Sequence, residues 1–243
     1  MNFGQLHAVL SAEIGERPFA FDLLDAALRQ PSLFYLKPET LNRNVEASAA
    51  LLALTKQAFV AAAVKQPQLF YQKPKTLNRN VEVSAALLDL TTRAFVAAAS
   101  KQPQLFYQKP ETLNGNVEAS AALLDLTKQA FVAAAVKQPQ LFYQKPETLN
   151  GNIEASAALL GLSKQAFLAA AVKQPQLFYQ KPETLNGNVE ASAALLDLTK
   201  RAFVAVALKQ PQLFCQKPET LSGNVEASAA LLGLSKQAFV GVA

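Results

Sequence analysis

A proline recurs at one interval: Pro67, Pro103, Pro139, Pro175 and Pro211 are each 36 residues apart, and Pro31 opens the series. The residues between them recur with it. The copy at 137–172 reads KQPQLFYQKPETLNGNIEASAALLGLSKQAFLAAAV. A fixed period of roughly 20–50 residues is the mark of a stacked array, in which each unit buries its apolar face against its neighbours. The 243-residue chain therefore divides into a capping segment, 1–28, and six repeats at 29–64, 65–100, 101–136, 137–172, 173–208 and 209–243. The last reads as truncated. Two capping helices are expected before the array, one from about Phe3 to Ile14 and one over Phe19–Gln30.

Within a repeat the pattern is helix, helix, short turn. Pro146 suits the first turn of a helix, where its missing N–H costs nothing, and Glu147 suits the positive helix end. Leu149, Ile153, Ala157 and Leu160 then follow at helical spacing on one face. Gly161 ends that helix, with Leu162 folding back as in a Schellman motif. Ala53, Asp89, Asp125 and Asp197 replace this glycine elsewhere, so the left-handed turn is not expected in every repeat. Ser163, like Thr55, Thr91, Thr127, Thr199 and Ser235, is the N-cap of the second helix. That helix runs KQAFLAAAVKQ, is apolar all round at its centre, and stops before Pro175. PQLFYQK reads as one 3₁₀-like turn that inserts Leu141 and Phe142 into the core, with Tyr143 the more exposed of the aromatic pair. No stretch alternates with a period of two. The expected fold is an all-α superhelical solenoid, right- or left-handed, of six helix–helix–short-turn repeats.

Nothing in the sequence points to catalysis. The chain has one histidine (His7) and one cysteine (Cys215, where five repeats have tyrosine), too few for a zinc cluster or a Cys–His pair. It contains neither a phosphate-binding G-x-x-x-x-G-K-[ST] loop nor a G-x-G-x-x-G loop. No cofactor and no small-molecule substrate are expected. Glu46, Glu82, Glu118, Glu154, Glu190 and Glu226 read as a regular solvated row. No signal or transit peptide is seen and no apolar run reaches the roughly 20 residues of a membrane span. The chain reads as soluble, intracellular and cytoplasmic, with no membrane partner.

The net charge is +5 and the basic excess lies early, at Arg43, Lys75, Arg79 and Arg93. Two recurring features are candidates for binding. A lysine precedes the first-helix proline in all six repeats: Lys37, Lys73, Lys109, Lys145, Lys181 and Lys217. Stacking would align them into a ladder able to track a phosphate backbone. The other is the tripeptide Asn-X-Asn, which starts at Asn42, Asn78, Asn114, Asn150 and Asn186, with a serine at 222. It reads either as a cap, with the helix starting at the second asparagine, or as a loop facing a ligand. In the latter, asparagine meets phosphates or bases and the variable middle residue tunes the contact. A further row, Arg29 with Lys65, Lys101, Lys137, Lys173 and Lys209, sits where cations favour a helix C-terminus, a structural role.

The repeat resembles that of the mitochondrial transcription termination factor (mTERF) family. The matching residues are Pro139, Leu141, Phe142, Leu149, Ile153, Glu154, Leu159, Leu160, Gly161, Leu162 and Ser163, and the pattern covers 29–243. The resemblance implies helix pairs plus a short 3₁₀ helix stacked into a curved superhelix. It also implies double-stranded nucleic-acid binding along a basic groove. The expected function is thus non-enzymatic binding of nucleic acid, double-stranded DNA in particular. A protein-interaction scaffold without a nucleic-acid role is the alternative.

Overall fold

The computed structural model describes residues 26–242, and every regular element among them is helical. The expected capping helices lie almost wholly outside the described residues; only 26–29, at the end of the second, are seen as helix. Each repeat opens with a 3₁₀ turn at its proline. The first helices are α1 (Pro38–Leu51), α3 (Pro74–Leu87), α5 (Pro110–Leu123), α7 (Pro146–Leu159), α9 (Pro182–Leu195) and α11 (Pro218–Leu231). The second helices are α2 (Lys56–Lys65), α4 (Thr92–Lys101), α6 (Lys128–Lys137), α8 (Lys164–Lys173), α10 (Lys200–Lys209) and α12 (Lys236–Val242). The chain forms two compact units, Met1–Val117 and Glu118–Ala243, and the division falls inside α5.

Proline, a β-hydroxyl and a left-handed residue set the element boundaries. Each first helix begins at its proline, with the preceding lysine in an extended conformation (φ −67°, ψ 135° at Lys37). Each ends in a Schellman motif. In repeat 4 the Leu162 N–H donates to Ala157 O at 2.8 Å and the Gly161 N–H to Ala158 O at 3.1 Å. All six repeats use the left-handed turn, contrary to expectation. Gly161 and Gly233 have φ of 66° and 65°, Asp89, Asp125 and Asp197 have 54°, 57° and 56°, and Ala53 has 53°. The two backbone hydrogen bonds and the fold-back of the following leucine fix this turn whatever residue occupies it. Aspartate tolerates it better than alanine does. The Thr55 hydroxyl then accepts from the Ala58 N–H at 3.1 Å, and the equivalent cap recurs through Ser235. The chain bends by 110° between α1 and α2, and by 114° between α7 and α8.

In the first unit, Leu41, Val45 and Ala49 of α1 and Leu77, Val81 and Ala85 of α3 are buried, and these two helices pack side by side. Phe59, Phe70, Phe95 and Phe106 fill the space between first and second helices, all fully buried. The Arg29 guanidinium donates to Val64 O at 3.0 Å, at the C-terminal end of α2, so this member of the Arg/Lys row is a helix cap. In the second unit, α7, α9 and α11 pack in sequence over Phe131, Phe142, Phe167, Phe178, Phe203 and Phe214. Phe131 meets Phe178, and Phe167 meets Phe214, edge to face at 6.3 Å. The 3₁₀ turn at Pro139–Tyr143 buries Leu141 and Phe142, as its sequence predicts. The second helices are not buried all round: Ala97, Ala133, Ala169 and Ala205 face solvent, as does Val206 of α10. No single helix among the described residues is long and apolar enough to cross a membrane.

Candidate nucleic-acid interface

The six lysines of the first row stand immediately before their helices, and all are exposed: Lys37, Lys73, Lys109, Lys145, Lys181 and Lys217. None of their ammonium groups makes a hydrogen bond or ion pair among the described residues. A cation beside the positive end of a helix is electrostatically disfavoured. The lysine row therefore does nothing for the helices it precedes, whereas Glu39, Glu111, Glu147, Glu183 and Glu219 in the first turns are favourably placed.

The Asn-X-Asn tripeptide is neither the cap nor the loop that the sequence suggests. The helix starts four residues before it, so both asparagines lie in the second turn. The first asparagine ties the two helices of its repeat together. Asn42 Nδ2 donates to Glu46 Oε1 at 2.9 Å, and Lys56 Nζ donates to Asn42 Oδ1 at 2.7 Å and to Glu46 Oε1 at 3.3 Å. Repeat 4 has the same trio: Asn150 to Glu154 at 3.0 Å, Lys164 to Asn150 at 2.6 Å and Lys164 to Glu154 at 3.0 Å. Asn186, Glu190 and Lys200 repeat it, and in the last repeat Ser222 replaces asparagine between Glu226 and Lys236. Asn42, Asn150 and Asn186 thus have both ends of the amide engaged inside the protein. Asn78 donates to Glu82 at 2.8 Å, but Thr92 stands where the lysine would be. Asn114 lies at the equivalent half-buried position of α5.

The glutamates are accordingly not a free solvated row. Glu118 also meets a lysine, Lys128, at 3.2 Å. The carboxyls of Glu154, Glu190 and Glu226 are held below their ordinary range, first by the lysine hydrogen bond, then by the Asn or Ser one and by the lysine charge. These lysines open the second helices, and sequence reasoning does not single them out. The available signal is their co-occurrence with Asn-x-x-x-Glu, broken in repeat 2 by Thr92 and in repeat 6 by Ser222. They also reach the preceding repeat: Lys200 Nζ donates to Leu159 O at 2.8 Å and Lys164 Nζ to Leu123 O at 3.4 Å. The second asparagine does similar work, with Asn152 Nδ2 3.4 Å from Phe178 O.

What remains open to a ligand is the middle residue and the lysine row. Arg43 and Arg79 are exposed, and their guanidinium groups make no hydrogen bond or ion pair among the described residues. Gly115, Gly151, Gly187 and Gly223 face empty space at the same position. In the first unit, Lys75, Thr76, Arg79, Asn80 and Lys109 line one cleft between α3 and the start of α5, beside Glu111. The fold thus gathers three of the predicted basic residues there. Lys145, Lys181 and Lys217 stand in the second unit with glycines, not arginines, on the first helices of their repeats. Tyr71, Tyr143 and Tyr179 are half-buried, and burial raises their hydroxyl pKa.

The other ends of the first helices differ in character. In the second unit Leu123, Leu159 and Leu195 keep between 39% and 41% of their surface exposed, and in the first unit Leu51 keeps 46%. In the second unit, Leu159, Leu162, Val204, Ala205 and Leu208 line a groove there, with Lys200 and Arg201 at its side.

No protein-family model matches the chain, and no curated protein matches it, so the resemblance to the mTERF repeat rests on the pattern of the repeat itself.

Proposed function

We propose that this is a non-enzymatic, mTERF-like repeat protein that binds nucleic acid, double-stranded DNA in particular, along the surface presented by the N-terminal ends of its first helices. The observation that carries the reading is the row of exposed lysines, unpaired among the described residues, at the positive ends of those helices. Placing a cation there is unfavourable for the fold, and a phosphate beside each lysine would reverse the sign of that interaction. Arg43 and Arg79, likewise exposed, add charge beside it. The contacts are to phosphates, since Asn42, Asn150 and Asn186 have both ends of their amides engaged in the helix-to-helix trios. A cytoplasmic site of action belongs to the same proposal.

The test is binding to a pool of random-sequence duplex DNA at two salt concentrations, with Arg43→Ala/Arg79→Ala beside the parent. Removing one cation that neutralises a phosphate should lower the slope of log affinity against log salt by about 0.9. The expected result is steeply salt-dependent binding that weakens in the double variant. Absence of binding at low salt would sink the reading.

The half-exposed leucines and the groove at Leu159, Val204 and Leu208 favour a second reading, a scaffold for a protein ligand. Burial of apolar surface responds weakly to salt, so the same titration separates the two.

A further inference from the structure

We infer that the polyanion is gripped at one place, by two adjacent clefts of the first unit that share Lys75 and together form a two-phosphate clamp. This inference rests on the nucleic-acid reading and narrows it, because a uniform lysine ladder would grip equally at every repeat.

The argument is a comparison of clefts built on the same backbone. Between the first helices of repeats 2 and 3 the lining includes Lys75, Arg79 and Lys109 against one carboxylate, Glu111. The positions one repeat earlier, where α1 packs on α3, hold Arg43, Lys73 and Lys75 against Glu39. The corresponding positions of repeats 4 and 5 hold Gly151 and one cation, Lys181, between Glu147 and Glu183. Those of repeats 5 and 6 hold Gly187 and Lys217 between Glu183 and Glu219. The cleft between α3 and α5 and the equivalent positions between α1 and α3 are therefore strongly cationic, while the equivalent positions in the second unit carry more negative than positive charge.

Three substitutions between near-identical repeats produce this difference, and they converge in space although they are scattered in sequence. Lys75 replaces a glutamate found in the other five repeats, and Arg43 and Arg79 replace glycine. Their side chains lie on the exposed surface, where packing does not constrain them. Lys75 borders both clefts, so one reversal of charge serves two sites. The Thr76 hydroxyl and the Asn80 amide add neutral donors on the lining of the second cleft. Neighbouring packed helices lie roughly 10 Å apart. That distance matches about three steps of a nucleic-acid strand, at about 3.4 Å of axis per nucleotide. The ligand chemistry is a phosphodiester chain held at two phosphates about three nucleotides apart.

The test uses the full chain and substitutions that keep helix propensity. Arg43→Gln/Lys75→Glu/Arg79→Gln gives the first unit the cleft charges of the second. Gly151→Arg/Glu183→Lys/Gly187→Arg, added to that variant, rebuilds both cationic clefts in the second unit, where added side chains meet open space. The probes are duplex DNA and a linear polyphosphate, with helical circular dichroism and thermal melting as the check on folding. The clamp predicts that the first variant loses at least about tenfold in affinity, that its salt slope falls by about 2, and that the graft restores both. DNA binding by the parent with no loss in the first variant overturns the clamp and leaves the nucleic-acid reading standing. A folded first variant whose weakened binding the graft does not restore also overturns it. Polyphosphate binding that follows the clefts, with no binding of DNA, keeps the clamp and overturns the nucleic-acid reading. No binding of either probe by the parent overturns both.

Discussion

The Lys200 ammonium donates to the carbonyl oxygen of Leu159, 2.8 Å away and 41 residues earlier in the chain. Leu159 is the last residue of α7, where backbone carbonyls have no partner within the helix. Lys200 opens α10 and also binds Asn186 and Glu190 on α9. One side chain thereby joins the two helices of its own repeat to the end of the repeat before.

Lys200→Met should therefore destabilise the protein by about 1 kcal/mol, because it removes the charge-assisted bonds to Leu159 and Asn186, discounted for solvent exposure. The reverse change, Thr92→Lys, should supply the trio that repeat 2 lacks, with a gain of about 0.5 kcal/mol. Urea melts of both variants check the pair. Opposite signs are expected, and a destabilised Thr92→Lys protein would contradict the role assigned to this lysine.

The lowered carboxyl pKa of Glu154, Glu190 and Glu226 means that the folded protein holds these groups ionised more strongly than the unfolded chain does. Their contribution to stability is complete above the ordinary glutamate value of about 4.5 and is lost as pH falls below it through the folded value. Carboxyl-carbon NMR titration should show the Glu154 pKa rising towards the ordinary glutamate value in Lys164→Met. An unchanged Glu154 titration in that variant would contradict the pairing.

Ala53 occupies the left-handed turn at φ 53°, where its Cβ crowds the backbone. Ala53→Gly should stabilise by about 1 kcal/mol, and Gly161→Ala should destabilise by a similar amount. Thermal melts of the two single variants read this directly, and equal shifts of the same sign would rule out the conformational explanation.

Ser48, Ser84, Ser120 and Ser156 each bury a hydroxyl oxygen that has no hydrogen-bond partner among the described residues. Replacing one such serine with alanine removes a desolvated polar group and opens little space. Ser156→Ala should raise stability by about 1 kcal/mol in denaturant titration. A loss of stability would place a partner on that hydroxyl.

The local chemistry of the repeat is legible in the sequence. Pro146 starts α7, Ser163 caps α8, the proline at 175 lies just beyond its end, and Leu141 and Phe142 enter the core. Each depends on contacts within a few residues. The Asn-X-Asn tripeptide misleads for the same reason. Asparagine and glycine are poor helix formers, but the proline four residues earlier and the buried face at Leu149 and Ile153 carry the helix through them. The left-handed turn at Ala53 is likewise set by the two Schellman bonds and by Leu54, against the preference of the residue itself.

The sequence by itself determined the period, the helix pair and the apolar face of each first helix, because helix boundaries and amphipathic spacing are local properties. Only the tertiary structure decided which polar groups are engaged inside the protein and which stay on its surface. Lys56 and Glu46 are ten residues apart, across a bend of 110°, so no helical spacing connects them. Lys75, Arg79 and Lys109 span almost a whole repeat, and stacking of one repeat on the next brings them to a single cleft. Charge acts through distance in space, and in an array of repeats the nearest charges are about one period apart along the chain.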